Sequence, residues 1–342
     1  MKAVAYSIKP FEKEFLAKAN QKKHDITLIS NALTAETAGY AEGKDAAIVF
    51  TNDDVSAGVL EKLASAGIKY IVTRSVKTDH IDKEAAAKYG IKLSNVPSYS
   101  PQAIAEHAVA MAFSLNRHLI AADKHCHDLD FSNDGLVGFN FAGKTVGIIG
   151  LGTTGQTAAR IFSGIGCKVL GYDLSFPEDS PFIQPVTLDE LLASSDIISL
   201  HLPPSSQNVH LVNYEMVSRM KHNVMLINTS RGAIIDTEDV LTALENGQVG
   251  YLGLDVYEPE DDLVFKNHKP DAHTDPLLKK LLEHPNVLIT PHQACLTRET
   301  LQEIADRTIK NLDMWQQDKC AGDACVCHKS AKPAKDDHLL NG

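Results

Sequence analysis

Positive charge is in short supply: 33 lysines and arginines stand against 44 aspartates and glutamates, a formal net charge of −11. Binding to a phosphate backbone rests on clustered cations, and no basic stripe runs through the chain, so nucleic acid is not an expected partner. Long apolar runs are missing too. No stretch approaches the roughly 18 apolar residues of a membrane span, and the opening MKAVAYSIKPFEKEF lacks the apolar core of a secretory signal. The expectation is a soluble, cytoplasmic protein without membrane contact. Cysteine is sparse and scattered, at Cys126, Cys167, Cys295, Cys320, Cys325 and Cys327. In a cytoplasmic chain such spacing reads as reduced thiols. The run CAGDACVCH lacks the paired C-x-x-C of a zinc site and leads into a lysine- and aspartate-rich tail, so no metal is expected. No internal repeat of solenoid length is present.

What the chain has is alternation. With 342 residues, 44% of them hydrophobic, it is long enough for two domains. From residue 4 to 96 short apolar segments (AVAYS, ITLIS, AAIVF, KYIVTRS) alternate with helical patterns at 11–23, 56–66 and 82–89. That is the signature of parallel βα units and a small α/β domain. Then SYSPQAIAEHAVAMAFSLNRHL predicts one long helix, with Ser100 as N-cap, Pro101 at the first helical position, and Ile104, Ala108, Met111, Leu115 and Leu119 on one face. After a loop with Asn133, Gly135 and Gly138, alternation resumes. Strands are expected at 146–150, 168–173, 197–202, 224–228, 250–256 and 287–290, enough for a doubly wound sheet. Thr187 and Glu190 make a capping-box pattern, Gly247 stops a helix, and a last helix covers 297–315.

At the head of the second alternation, VGIIGLGTTG carries Gly150, Gly152 and Gly155 in G-x-G-x-x-G spacing. The first glycine lets the strand turn, the second lets backbone approach a pyrophosphate, and the third lets the helix pack closely with its N-terminus toward the anion. Glycines also make ordinary turns, but here an apolar strand precedes, a helix pattern follows, and Asp173 ends the next strand. A carboxylate there can accept both ribose hydroxyls of NAD and repels the 2′-phosphate of NADP.

Three polar residues stand at or after predicted strand ends: Arg231 in NTSRG, Glu260 in DVYEPE and His292 in ITPHQ. Ligands of an open parallel sheet bind at the carboxyl ends of its strands. Guanidinium is always charged, so Arg231 in a turn between apolar runs calls for an anion. A 2-hydroxyacid dehydrogenase needs a cation for the carboxylate, which Arg231 can supply as a bidentate fork, and a proton-exchanging group, which suits His292. Glu260 would hold the imidazole and keep it protonated. Singly, each has a plain alternative. Arg231 could cap a helix or pair with Asp236, Glu260 could be a solvated carboxylate, and His292 a satisfied half-buried histidine. His201 could border the cofactor, but the following prolines read better as loop-shaping. His107, His118, His125, His127 and His210 fall in helical or loop patterns that need no chemistry.

Through VGIIGLGTTG with Asp173, NTSRGAIID, GLDVYE and ITPHQA, the chain resembles the NAD-dependent D-2-hydroxyacid dehydrogenases over nearly its whole length, and within them the fermentative lactate branch. The resemblance implies Arg231, Glu260 and His292 as the catalytic residues. It implies NAD bound by Gly150, Gly152, Thr153, Thr154, Gly155, Asp173, Thr229 and Asp255, with Asp255 bordering the nicotinamide amide. It further implies a flavodoxin-like catalytic domain (1–100 with 299–342), a Rossmann domain (101–298), a small 2-oxo or 2-hydroxy acid as substrate, and a homodimer formed through the helix after Ser100. Two features favour the lactate branch: the long segment between Glu260 and His292, and Phe50 and Tyr99 at aromatic positions around a small methyl. Val76 would contribute an amide to the substrate carboxylate. Lys77 departs from the family, which usually has glycine there. It either snorkels to solvent or reaches a second carboxylate, shifting preference to a dicarboxylic acid. The other readings are a dehydrogenase for a bulkier acid and an NAD-sensing corepressor.

Overall fold

The structure, a computed structural model, describes residues 1–97, 100–177, 180–203, 205–258, 275–319 and 325. The chain divides into two compact units, residues 1–99 with 297–342 and residues 100–296.

In the first unit, β1 (Lys2–Ala5), α1 (Lys13–Asn20), β2 (Asp25–Leu28), β3 (Ala46–Val49), α2 (Ala57–Ser65), β4 (Tyr70–Thr73), α3 (Lys83–Lys88) and β5 (Lys92–Ser94) follow one another. The five strands are parallel in the order β2-β1-β3-β4-β5, a flavodoxin-like sheet whose direction of growth reverses between β1 and β3. Alternate side chains of a strand face opposite ways, so the sheet has two apolar faces. Val4, Ala47, Val49 and Ile71 pack against Leu60 and Leu63 of α2 and Ala86 of α3. Ala3, Ala5, Ile48 and Val72 pack on the other side against Leu16 of α1.

The second unit opens with α4 (Pro101–Asn116) and α5 (Leu119–His127). Then come β6 (Thr145–Ile149), α6 (Thr153–Gly164), β7 (Lys168–Tyr172), β8 (Gln184–Pro185), α7 (Leu188–Ser194), β9 (Ile197–Leu200) and α8 (Tyr214–Ser218). It closes with β10 (Val224–Asn228), α9 (Thr237–Glu245), β11 (Val249–Leu254), α10 (Pro276–Glu283) and β12 (Val287–Ile289). The seven-stranded sheet runs β12-β11-β10-β9-β6-β7-β8, the Rossmann order with one strand added, and its switch point lies between β6 and β9. Two clusters of buried side chains cover its faces: Ile198, Leu226 and Leu252 with α7 to α10, and Ile148, Met225 and Ile227 with α4 and α6.

After it, α11 (Arg298–Gln316) returns to the first unit. Its Ala305, Ile309, Leu312 and Trp315 complete the cluster around α1, and Trp315 stacks on Tyr70 at 4.8 Å. Thr297 caps the helix by accepting from the Thr300 amide.

Three local expectations change. The helix after Ser100 is two helices, because Arg117 ends α4 and His118 takes a left-handed conformation, φ 49°. Leu119 therefore leaves the apolar stripe and is exposed, while Ser100 does cap α4, accepting from the Ala103 amide. Two strands also escape the periodicity. β5 has three residues and β8 two, one of them a proline, too short for an alternation to register.

Candidate active site

The dinucleotide loop is built as its glycines require. Gly150 leaves β6 with φ 92°, and a Cβ there would lie 2.5 Å from the His201 carbonyl oxygen. At Gly155 a Cβ would meet the Gly150 carbonyl oxygen at 1.9 Å, so only glycine lets α6 pack on the strand end. Gly152 is the N-cap of α6, with open space beside it, and Thr153, Thr154 and Gly155 form the first turn, whose amides have no helical acceptor. Asp173 follows β7. One of its oxygens accepts from the Leu151 amide at 2.5 Å and the other from the Ser175 amide at 3.0 Å. A carboxylate has about four acceptor positions, so it retains capacity for a ribose diol. Beyond β10, Thr229 is buried and its hydroxyl has no hydrogen-bond partner among the described residues. An orphan buried hydroxyl after β10, a main-chain cradle after β6 and a carboxylate after β7, all at the carboxyl ends of one sheet, make a polar set that suits a dinucleotide.

Arg231 stands four residues beyond Ile227, at the carboxyl end of β10. The fully buried Asn228 fixes the turn: its amide donates to the Arg231 carbonyl at 2.8 Å, and its side-chain oxygen accepts from the Ser230 amide and hydroxyl. Gly232 must be glycine, since a Cβ would sit 2.2 Å from the backbone of Tyr257. Arg231 donates to the Ser230 carbonyl at 2.6 Å. Asp236 is not its partner. That carboxylate caps α9 through the Asp239 amide and meets His210 at 3.2 Å. His210 also contacts Glu258, whose hydrogen bond is the main reason its pKa is raised, and so it ties the Arg231 loop to the segment after β11.

His292 lies beyond β12 in a left-handed conformation, φ 54°, half-buried. Its loop is held by Asp255, which is 1% exposed. Asp255 accepts from the Thr290 hydroxyl at 2.5 Å and from the amides of Gln293 and Ala294 at 2.9 and 2.8 Å. Burial alone would raise the pKa of this carboxyl. The hydrogen bonds, led by that from His107, outweigh burial and hold it below the usual carboxylate range. Asp255, expected beside the cofactor, thus has its carboxylate turned to the loop that carries His292. Cys295 shares this corner: burial pushes its thiol up to about 11, with Asp255 adding to the rise and Arg231 opposing it.

His107 is the residue that sequence reasoning passed over. Its Nε2 lies 3.1 Å from the Thr290 hydroxyl and 3.3 Å from the Asp255 carboxylate. The available signal was its position four residues before Met111, on the buried side of α4.

In the first unit, Phe50 follows β3 and Val76 and Lys77 follow β4. The Phe50 amide donates to Asp53 at 2.6 Å, and the Arg74 guanidinium lies 5.1 Å from the centre of the Phe50 ring. Arg74 is fully buried, paired with Glu12 and donating to the Tyr6 carbonyl at 2.8 Å. Ser75 and Asn95 donate to the carbonyls of Lys77 and Val76, at 2.8 and 3.0 Å. Lys77 is exposed and its φ is not positive, so the family's usual glycine is not required there for backbone reasons. Tyr99 and Glu260 lie outside the described residues. So do Cys320, Cys327 and His328, while Cys325 forms an isolated bridge with Ser94 of β5. No helix among the described residues is long and apolar enough to cross a membrane.

The sequence profile of the D-isomer specific 2-hydroxyacid dehydrogenase NAD binding domain matches residues 109–294. The D-lactate dehydrogenase of Escherichia coli K12 is 40% identical over 316 residues, covering 91% of this chain and 96% of that protein. A D-lactate dehydrogenase of Curvularia clavata is 42% identical and covers 95% of each chain. Among solved structures, the pyruvate reductase of Chlamydomonas reinhardtii superposes with a TM-score of 0.91 at 42% identity, over 94% of this chain and 98% of that one. The strand-end constellation and these matches along nearly the full chain agree: this protein belongs to the D-isomer-specific 2-hydroxyacid dehydrogenase family, with an NAD-binding Rossmann domain.

Proposed function

We propose that the protein is an NAD-dependent D-lactate dehydrogenase that reduces pyruvate reversibly to D-lactate. The observation that carries this reading is the grouping of Arg231, Asp255 and the His292 loop at adjoining strand ends, on the same sheet as a glycine loop shaped for a dinucleotide. The relatives named D-lactate dehydrogenase support the choice of acid.

When bound, NADH supplies the hydride. Arg231 grips the substrate carboxylate with two parallel donors, which fixes the face presented for reaction. His292 gives its proton to the oxygen of the former carbonyl in reduction and takes it back in oxidation. Glu260 is assigned the role of keeping that imidazole protonated. Asp255 fixes the His292 loop through the Thr290 hydroxyl before it and the Gln293 and Ala294 amides after it. Thr229, Asp173 and the amides of Thr153, Thr154 and Gly155 hold the dinucleotide, and the Asp173 carboxylate favours NAD over NADP. Phe50, Tyr99 and the backbone amides of Val76 and Lys77 remain the proposed substrate contacts.

The test is NADH oxidation against pyruvate, 2-oxobutyrate, phenylpyruvate, hydroxypyruvate and oxaloacetate, with chiral analysis of the product. A maximum of kcat/KM on pyruvate giving D-lactate is expected, leaving Lys77 directed to solvent. Absence of turnover on every short 2-oxo acid would overturn the enzymatic reading, and a maximum on oxaloacetate would make Lys77 the specificity residue. Arg231→Lys should cost on the order of a hundredfold or more in kcat/KM, because a bidentate fork becomes a point contact.

We also assign the protein to the cytoplasm, as a homodimer formed through the helical stretch after Ser100, α4 and α5, with the loop that follows α5. Ile120, Leu129, Phe131 and Val137 stand 65 to 84% exposed there, more apolar surface than one short stretch of a monomer ordinarily leaves in water. Light scattering should give twice the chain mass, and a monomer that Phe131→Lys leaves unchanged would reject the interface.

A further inference from the structure

Asp255 is an almost fully buried carboxylate with four hydrogen-bonding neighbours. Three of them, the Thr290 hydroxyl and the Gln293 and Ala294 amides, belong to the loop that carries His292. The fourth, His107, comes from α4. It therefore ties the loop to a helix packed against β10, β11 and β12, rather than to itself. Thr290 spends its hydroxyl proton on Asp255, so its oxygen is free to accept from the Nε2 proton of His107. The imidazole thus donates at one point to both partners, and the chain His107, Thr290, Asp255 closes on the two amides that follow His292. Those bonds hold His292 in a left-handed conformation that a histidine does not favour.

We infer that His107 is a positioning residue for the reaction, acting on His292 through Thr290 and the Asp255 carboxylate. The inference rests on the reading of His292 as the proton donor. Without the Nε2 donor, Thr290 and Asp255 keep their mutual bond but lose the imidazole bridge to α4, leaving only the Thr290 contact with the Met111 sulfur. The loop 290–294 then samples other arrangements, and the fraction of enzyme with His292 aligned falls. Cofactor affinity, set by the glycine loop and Asp173, is untouched.

The test compares His107→Leu, which removes the donor at similar volume, with His107→Gln, whose Nε2 can replace it. In His107→Leu, kcat should fall about tenfold to a hundredfold while the KM for NADH changes less than about twofold, the cost expected of a misaligned catalytic group. His107→Gln should recover most of that loss. In parallel, hydrogen exchange of the Gln293 and Ala294 amides should speed up in the leucine variant and not in the glutamine variant. Exchange reads the loop whatever the substrate is, so a wild-type enzyme inert on pyruvate would count against the assigned reaction and leave the loop measurement standing. Unchanged exchange and kcat in His107→Leu would overturn the proposal, as would a glutamine variant as impaired as the leucine one.

Discussion

The two sheets are built by one rule, parallel strands with helices on both faces, yet they furnish their carboxyl strand ends in opposite ways. At the ends of the seven-stranded sheet, backbone meets backbone. Gly150, Gly155 and Gly232 each stand where a Cβ would come within 2.5 Å of a neighbouring main-chain atom. In the five-stranded unit none of the described glycines stands at a carboxyl strand end; Gly39, Gly43, Gly58 and Gly90 lie in helices and turns with nothing within 4 Å, and the strand ends are filled with side chains instead. Arg74, Glu12, Asp53 and Ser7 form buried ionic and hydrogen-bonded contacts around Phe50. One unit offers a main-chain cradle, suited to an anionic cofactor that needs close approach. The other offers a wall stiffened by charge. The first should be vulnerable to an added methyl group and the second to a lost charge.

The largest effect is expected from breaking the wall. Arg74→Met leaves Glu12 without its buried partner and should cost about 3–5 kcal/mol of stability in denaturant unfolding, while adding Glu12→Gln should restore most of it. A single variant within about 1 kcal/mol of the parent would show that the ion pair does not stiffen this unit.

Next comes acid. His201, at the end of β9 beneath Gly150, is pushed down to about 4 by burial, from 6.5 in the unfolded chain. The unfolded state therefore binds the proton first. Stability is fully present above about pH 6.5 and declines as the pH falls toward 4, by on the order of 3 kcal/mol. His80, in the other unit, is lowered to the same value, by burial and then by Lys77. Thermal midpoints measured between pH 7 and 4 should fall less steeply in His201→Gln than in the parent. Parallel curves would dismiss His201 as the titrating group.

An added methyl in the cradle is the third comparison. Gly232→Ala must displace either Tyr257 or the Arg231 turn, and a shift of about 1 Å in the anchor should lower kcat/KM roughly a hundredfold with NADH affinity retained. Equal loss of NADH binding would mean that the whole strand end has moved. The smallest effect has the opposite sign. Gly58→Ala, in the first turn of α2 with open space around it, should raise stability by no more than about 0.5 kcal/mol, the low end of the gain from replacing a helical glycine. Loss of stability there would erase the contrast between the two units.

The features legible in the sequence were those whose signal is local. The glycine spacing, Asp173 at a strand end, the Thr187 cap and the parallel alternation are all set within a few residues. The family resemblance also singled out Thr229 and Asp255 as cofactor residues; Thr229 is buried at a strand end, and the Asp255 carboxylate serves the His292 loop. What could not be read was made by distant contacts. His107 and Thr290 are 183 positions apart, and nothing near His107 announces a carboxylate. The break at His118 depends on one backbone conformation, and β5 and β8 form because neighbouring strands offer an edge, not because their sequences insist. Asp236, read as a possible partner of Arg231, proved to serve α9 and His210.

His292 sets evolutionary fitness against robustness. Its left-handed backbone is a conformation in which glycine or asparagine would rest more easily, by about 1 kcal/mol, yet neither side chain can shuttle a proton. A library randomised at position 292 and sorted for thermal resistance alone should therefore enrich glycine and asparagine, whereas sorting for turnover should return histidine, so that the two selections diverge at a single codon.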